Sequence, residues 1–149
     1  MKVSKKGEVM KKENIGVVHG EWGERIAVEL LRRKGWEIID RNTRPYSRDE
    51  RLELDIVAWD PATDTMVFVE VKQHKKHSPW ERRLRSVDRE KKRNLRLAAN
   101  AWRRKNRWAG GYRFDVIEIY GEPGSGAPEI DHIENVRLFV PEAQFVRWG

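Results

Sequence analysis

The spacing of apolar positions follows a helical period in two parts of the chain. Within residues 19–35, HGEWGERIAVELLRRKG, the apolar residues Ile26, Leu30 and Leu31 recur at helical spacing, and Gly35 follows as a stop signal. A second helix, rich in cations, is predicted from about residue 86 to residue 105. Its apolar residues share one side, and they are Val87, Leu95, Ala98, Ala99 and Trp102.

Five other segments are apolar or alternating over short stretches bounded by polar residues, which is typical of strands. They are WEIIDRN (36–42), LELDIVAWD (52–60), TMVFVEVK (65–72), GYRFDVIEIYG (111–121) and IDHIENVRLFV (130–140). The tight turn PATD separates the second from the third, so we expect an antiparallel hairpin. The order of helix, strands, helix and strands predicts one α/β domain whose mixed sheet carries helices on its faces.

The two strands of the predicted hairpin carry charged residues among apolar ones. Alternation gives each strand two faces: Leu52, Leu54 and Ile56 opposite Glu53, Asp55 and Val57, and Val67, Val69 and Val71 opposite Phe68, Glu70 and Lys72. If the polar faces coincide at one end of the sheet, Asp55, Glu70 and Lys72 converge.

Two carboxylates and a lysine are the groups that a magnesium-dependent phosphodiesterase needs. Mg²⁺ takes oxygen ligands and keeps several waters, so Asp55 and Glu70 suffice to hold it, and the Val71 carbonyl offers a further oxygen. Lys72 would orient the attacking water or offset charge on the phosphorus. The alternative interpretation is an exposed strand face with a weak ion pair. The apolar runs favour a buried sheet, where idle charges are costly, and therefore favour the site.

Positive charge is concentrated in one quarter of the chain. The net charge is +7 at pH 7 and the isoelectric point is about 9.8. Between Lys72 and Arg107, fifteen Lys and Arg residues are opposed only by Glu81, Asp88 and Glu90. Because solvated helix faces usually mix signs, this run favours binding of a nucleic-acid backbone, with DNA as the expected partner. The expected contacts are Lys75, Lys76, Arg85, Arg89, Lys91, Lys92, Arg93 and Arg96.

Several other kinds of site are excluded or disfavoured. The chain contains no cysteine, which excludes disulfides, thiolate zinc sites and a cysteine nucleophile. His74 and His77 have a metal-like spacing but no third ligand, so zinc is not expected. Trp80 and Trp108 lie in basic loops, and packing against the sheet is favoured over stacking on bases.

The ends of the chain and its location are also predicted. The basic N-terminus lacks the apolar core of a signal peptide, and no run of about 18 apolar residues exists, so a cytoplasmic protein without a membrane span is expected. We expect a flexible basic tail over residues 1–17, a nuclease-like domain over 18–140 and a C-terminal tail over 141–149.

Five blocks together resemble the YraN family of uncharacterised bacterial proteins. The blocks are HGEWGERIAVELLRRKGWEIIDRNTR, ELDIVAWD, MVFVEVKQH, SVDREKKRNLRLAANAWR, and YRFDVIEIYG with IDHIENV, and they span about residues 19–139. Within them, Asp55 followed fifteen residues later by Glu70-Val71-Lys72 is similar to the PD-(D/E)xK nuclease pattern. The resemblance implies a restriction-endonuclease-like three-layer fold, with a central mixed sheet flanked by helices, as in the archaeal Holliday-junction resolvases.

The resemblance also implies roles for individual residues. Asp55 and Glu70 would bind Mg²⁺ or Mn²⁺, and Lys72 would be the catalytic lysine. Glu24 would match the acidic residue on the first helix of the resolvases, as a ligand or a base, and Glu53 fits the acidic position beside Asp55. Lys91 would match a recurrent family lysine that reaches the scissile phosphate. Since resolvase-like enzymes act as dimers, a homodimer is implied as well.

Two departures from the family pattern affect the expected site. Leu52 stands where the family usually has glycine, which would reshape the loop above the metal, and His74 stands where it usually has arginine, which would alter the grip on substrate. The predicted function is a metal-dependent DNA endonuclease acting on branched or repair intermediates. The alternatives are a nuclease fold that binds nucleic acid without cutting it, and an interaction protein whose basic helix docks on an acidic partner.

Overall fold

The computed structural model describes residues 12–46, 48–49, 51–75 and 89–138. This part of the chain contains two helices and five strands: α1 (Lys12–Arg33), β1 (Glu37–Thr43), β2 (Leu54–Asp60), β3 (Thr65–His74), α2 (Arg89–Lys105), β4 (Gly111–Tyr120) and β5 (Glu129–Ile133). The predicted order of elements is confirmed. The last strand ends at Ile133, earlier than predicted, and the left-handed backbone of Asn135 (φ 55°) interrupts the regular strand just beyond it.

The five strands form one mixed sheet in the order β1-β2-β3-β4-β5. The pairs β1–β2, β2–β3 and β4–β5 are antiparallel, and the predicted hairpin is therefore confirmed. β3 and β4 are parallel. A parallel pair needs a long crossover, and the segment that contains α2 supplies it.

Each helix covers one face of the sheet, so the domain has three layers. The core under α1 contains Ala27, Val28, Leu31, Trp36, Ile56, Ala58, Val67, Val69, Ile117 and Ile119. The core under α2 contains Leu52, Leu54, Val57, Met66, Phe68, Leu95, Ala98, Ala99, Trp102, Phe114, Val116 and Leu138. The α/β prediction is confirmed, and the open mixed sheet is compatible with a restriction-endonuclease-like fold.

The predicted alternation of β2 is wrong at one point. Leu54 and Val57 both lie in the core under α2, whereas Ile56 lies in the core under α1. Residues three apart cannot share a face of a regular strand, so the alternation shifts between Leu54 and Ile56. Asp55 stands at the shift.

Several predictions concern residues near the limits of the described chain. α1 begins at Lys12 and so includes residues that were assigned to the N-terminal tail. The domain boundaries remain predictions, since the first falls within α1 and the second lies outside the described residues. Trp108 packs against the core under α2, as expected, whereas Trp80 and His77 lie outside the described residues. Neither of the described helices is long and apolar enough to cross a membrane.

Candidate active site

The strands β2 and β3 stop pairing at Asp55. Their register runs from Asp60 opposite Thr65 to Ile56 opposite Val69. One residue further, the Asp55 carboxylate takes over a hydrogen bond to the neighbouring strand, because its Oδ2 atom accepts the Val71 N–H at 2.9 Å. This side-chain bond explains the shift in alternation and brings Asp55 against the Glu70-Val71 segment.

Glu70 lies on the α2 side of β3, and its side chain is only 3% exposed. Its Oε2 atom is 2.9 Å from the Lys91 Nζ atom on α2 and 3.8 Å from the Lys72 Nζ atom. The alternative interpretation of Glu70 and Lys72 as an exposed ion pair does not fit a carboxylate this deeply buried.

Burial and the neighbouring Glu70 disfavour the ionisation of Asp55. Burial, followed by the hydrogen bond and the charge of Glu70, raises the pKa of Asp55 to about 8. Near neutral pH the pair therefore carries a shared proton rather than two negative charges. Burial alone would lower the pKa of Lys91, but the carboxylates of Glu70, Asp55 and Glu53 raise it above its ordinary value.

Glu24 reaches the same region from α1. Its carboxylate is buried and accepts a hydrogen bond from the Arg41 Nε atom at 3.4 Å. Burial raises the pKa of Glu24 above its ordinary value despite Arg41, and the charge of Asp55 raises it further. Gly23 allows α1 to lie this close to β3, since a Cβ atom at Gly23 would lie 2.6 Å from the Gln73 Oε1 atom of β3.

A polar cleft of about 390 Å³ opens between α1 and the separated strands. Its lining consists of Gly20, Glu21, Glu24, Asn42, Glu53, Asp55, Val71 and Gln73. The Glu53 carboxylate accepts a hydrogen bond from Arg44 Nε at 3.2 Å. The structure thus brings four of the predicted site residues together around the cleft: Glu24, Glu53, Asp55 and Val71. Glu70 lies against Asp55, and Lys72 and Lys91 contact Glu70.

The group of residues fits a hard divalent cation. Asp55, Glu70 and Glu24 provide carboxylate oxygens, and Val71 provides a carbonyl beside them. One buried oxygen, Gln73 Oε1, has no hydrogen-bond donor among the described residues, whereas Glu70 Oε2 lies against the Lys91 ammonium. Buried acceptors without donors are uncommon in proteins, and a cation or its bound waters would satisfy the Gln73 oxygen.

The residues predicted to contact nucleic acid differ in their exposure and in their partners. Lys91 belongs to the carboxylate cluster rather than to the outer surface. Arg89, Arg93 and Lys75 are exposed, while Lys92 and Arg96 are half-buried. The Arg96 guanidinium donates to the Leu138 carbonyl at 3.5 Å, which turns it toward the C-terminal segment. Lys76 and Arg85 lie outside the described residues.

Sequence reasoning missed a buried glutamate beside Lys72. Glu118 of β4 is paired in register with Lys72, and its side chain is fully buried. Its carboxylate accepts a hydrogen bond from the Tyr120 hydroxyl at 3.2 Å and lies 3.3 Å from His74 Nε2. His74 therefore faces a carboxylate within the domain. A glutamate inside the apolar run VIEIY was the signal that could have indicated it.

A second cluster of metal-type ligands lies on the α1 side of β4. Oxygen and nitrogen atoms of Asp115, His132 and Glu134 lie within 4.8 Å of one another. The Arg113 guanidinium donates to Asp115 at 3.0 Å and to Glu134 at 3.2 Å, and so fills the position of a cation. Lys34 can only donate to His132 Nδ1, so His132 Nε2 carries the proton that Asp115 accepts. We interpret the cluster as structural.

Asp115→Asn is expected to lower the free energy of unfolding at pH 7 by about 3 kcal/mol, equally in EDTA and with divalent metal, because it removes the buried charge that Arg113 and His132 contact and leaves Arg113 with Glu134. Burial raises the pKa of Asp115, but hydrogen bonds from His132, Arg113 and the Asn135 N–H lower it below its ordinary value. Its contribution is therefore present above the unfolded pKa and disappears as the pH falls through the folded pKa.

Urea denaturation from pH 3 to pH 8 measures this effect, with Glu134→Gln as the control, since the side chain of Glu134 is half exposed. A loss seen only when metal is present would identify the cluster as a metal site instead.

Comparisons with known proteins place the chain beside one group of bacterial sequences. The sequence model described as "Uncharacterised protein family UPF0102" matches residues 23–119. A UPF0102 protein of Pseudomonas syringae is 40% identical over 111 residues, which cover 73% of this chain and 85% of the relative. Those of Pseudomonas aeruginosa and Mycobacterium tuberculosis are 36% and 38% identical, and the matches cover 78% of this chain and 89% and 90% of the relatives.

Proposed function

The chain belongs to the UPF0102 family, the YraN family that the sequence resembles, and on this premise we propose that it is a metal-dependent endonuclease that hydrolyses phosphodiester bonds in DNA. The observation that carries the proposal is the meeting of Asp55 with Glu70 and Val71 where β2 and β3 separate, with the Lys72 ammonium 3.8 Å from Glu70. A hydrolytic site needs clustered acidic ligands, a positioned cation and access from solvent. The cluster and the adjoining cleft supply all three.

Asp55, Glu70 and the Val71 carbonyl would hold Mg²⁺ or Mn²⁺, with Glu24 as a further ligand or as a base. Such an ion, when bound, acidifies a water molecule and neutralises charge on the attacked phosphate. The raised pKa of Asp55 supports this assignment, because a cation can replace the proton that the paired carboxylates share.

The side chains around the ligands have separate tasks in the proposal. Lys72, whose ammonium is 30% exposed, orients the attacking water or contacts the phosphate. Lys91 holds Glu70 in place through its 2.9 Å contact and adds positive charge to the pocket. Glu24 lines the cleft and has a pKa above its ordinary value, which makes it a stronger base than an ordinary glutamate. Glu53 contributes a further carboxylate to the wall of the cleft.

DNA is the proposed substrate because a basic helix adjoins the site. Between Glu90 and Asp115 the chain has no acidic residue, whereas α2 carries many cations. Branched and repair intermediates are the preferred candidates, and cutting both sides of a symmetric junction would require a homodimer. A nuclease fold that binds nucleic acid without cutting it is the second candidate, and the complete set of Asp55, Glu70 and Lys72 disfavours it.

Incubation of the protein with supercoiled, single-stranded and four-way-junction DNA tests the proposal. Nicking or cutting is expected with Mg²⁺ or Mn²⁺ and not with EDTA. Binding of these DNAs with no cleavage under either metal would favour the non-catalytic candidate.

Removing three cations from α2 tests the binding surface. Arg89→Ala, Lys92→Ala and Arg96→Ala together are expected to weaken DNA binding and to reduce the slope of log Kd against log salt by about 2–3, since each lost phosphate contact removes about 0.9. Fluorescence anisotropy over a salt series measures the slope.

The matched control removes Arg25, Arg32 and Arg33, which are exposed on α1 and change the net charge equally. Equal effects of the two triple variants would assign the salt dependence to net charge and would locate the DNA elsewhere.

A further inference from the structure

A second basic cleft lies at the C-terminal end of α2. It has a volume of about 230 Å³ and is lined by Asn100, Arg103, Arg104 and Trp108. Pockets that enclose a whole small-molecule ligand measure about 300–1,000 Å³, so this cleft suits one segment of a polymer better. Tyr112, at the start of β4, lies beside it and is paired in register with Met66, at the opposite end of β3 from Lys72.

Arg103 is held in a fixed orientation but has unused hydrogen-bonding capacity. Its guanidinium stacks on the Tyr112 ring at 3.8 Å, and its NH1 group donates to Asn100 Oδ1 at 3.4 Å. Its buried Nε atom has no acceptor among the described residues. Nor does any described carboxylate form a salt bridge with Arg103 or Arg104. A preorganised guanidinium without an anion is a recognition group for phosphate.

The wall of the cleft is also rigid. The Trp108 indole N–H donates to the Gly111 carbonyl at 3.0 Å. A Cβ atom at Gly110 would lie 2.7 Å from the indole ring, so the ring packs directly on a glycine backbone. The Trp108 side chain is thus held by a hydrogen bond on one side and by contact on another.

The cations at this helix end are not needed as caps. The last carbonyls of α2 accept backbone hydrogen bonds, since Asn106 N–H donates to Trp102 O and Trp108 N–H donates to Arg103 O, each at 2.9 Å. The helix dipole accounts for positive charge in the last turn. It does not account for the stacking of Arg103 or for the cleft beside it.

We propose that this cleft is a second nucleic-acid subsite, in which Arg103 and Arg104 bind a backbone phosphate and Trp108 contacts the adjoining sugar or base. The proposal rests on the nucleic-acid binding of the proposed function. Lys91 and Arg103 are twelve residues apart on α2, which corresponds to about 18 Å at 1.5 Å per residue. At about 3.4 Å per base step, the subsite engages DNA about five nucleotides away from the carboxylate cluster.

DNA length gives a test that does not depend on cleavage. Binding of labelled hairpins with stems of about 5 and about 20 base pairs is measured by anisotropy in EDTA, since only the longer stem spans both regions. Each binding constant is divided by the number of equivalent binding positions on its stem, and on this basis the wild-type protein is expected to bind the long stem at least about tenfold more tightly. In Arg103→Gln/Arg104→Gln this ratio is expected to fall to about one, because only one region of contact remains.

Two controls keep the result specific. Arg25→Gln/Arg32→Gln on α1 makes the same change in charge and is expected to retain the tenfold ratio. Arg104→Gln alone removes an exposed side chain without disturbing the Arg103 stack, and its ratio is expected to lie between those of the wild type and the double variant. This single variant replaces the double variant in the test if the latter does not fold.

The proposal is overturned if the double variant keeps the wild-type ratio, if both double variants lower it equally, or if polyglutamate of equal charge displaces the long stem as well as DNA does. The last result would assign the cleft to an acidic protein. An Arg103-dependent ratio in a protein that never cleaves DNA would support this subsite and contradict the proposed nuclease activity, so the two failures are distinguishable.

Discussion

Lys72→Met is expected to reduce the rate of Mg²⁺-dependent DNA cleavage by about 10²–10³-fold, the usual loss when one charge-stabilising group is removed from a hydrolytic site. The Lys72 ammonium lies 3.8 Å from Glu70 at the edge of the buried cluster, where it can reach both solvent and a bound phosphate. Its removal leaves the carboxylates in place, because Lys91 still neutralises Glu70. DNA binding should therefore change little, since the surface of α2 is intact.

Lys105→Met is the matched control, because Lys105 is an exposed lysine at the last residue of α2 and is not among the expected contacts with DNA. It should cleave at nearly the wild-type rate. Cleavage rates under single-turnover conditions and anisotropy binding constants separate the chemical step from binding. Wild-type cleavage by Lys72→Met would remove the catalytic assignment from this cluster altogether.

Asp55→Asn is expected to abolish cleavage and yet stabilise the metal-free protein at pH 8 by up to about 5 kcal/mol, since the pKa of Asp55 is raised by about four units and each unit corresponds to about 1.4 kcal/mol. Burial, and then Glu70, raise the folded pKa of Asp55 to about 8 from an ordinary value of 3.8. The protonated form is favoured in the folded state. The stabilisation from that proton is complete below about pH 4 and is lost as the pH rises toward 8. Asparagine imitates the protonated form at every pH.

Urea denaturation in EDTA between pH 4 and pH 9 measures this difference, which should shrink toward pH 4. Addition of Mg²⁺ should stabilise the wild-type protein at pH 8 and leave Asp55→Asn unchanged, because the ion replaces the shared proton. An asparagine variant that is no more stable than wild type at pH 8 would show that Asp55 and Glu70 do not repel each other.

The candidate site could be predicted because its main residues lie on one hairpin. The PATD turn fixes the pairing of β2 with β3, and period-two alternation on β3 sets Glu70 and Lys72 on the face of Phe68. The same reasoning failed for Ile56 and Val57. A side-chain hydrogen bond from Val71 N–H to Asp55 replaces a ladder bond, and no periodicity can indicate such a replacement.

Contacts between distant parts of the chain could not be predicted from pattern alone. Glu118 meets His74 only because β3 and β4 are parallel with Lys72 opposite Glu118. The Asp115 cluster depends on the register of β4 with β5 and on Lys34 at the end of α1. The family resemblance indicated Glu24 and Lys91, which the structure brings to the cleft and to Glu70, whereas it gave no indication of the Arg103 cleft.

The parallel pairing of β3 with β4 also determines when the domain can be completed during synthesis. Paired residues of the β2–β3 hairpin are close in sequence, such as Asp60 and Thr65, whereas those of β3 and β4 are 46 positions apart, as Thr65 and Gly111 are. Such distant pairings form late, because closing the long intervening loop costs conformational entropy before the contacts are made. Beyond Val69 the described partner of β3 is β4. A nascent chain on the ribosome would therefore carry Glu70 and Lys72 on an unsupported segment, and the candidate site could not be complete before β4 had emerged.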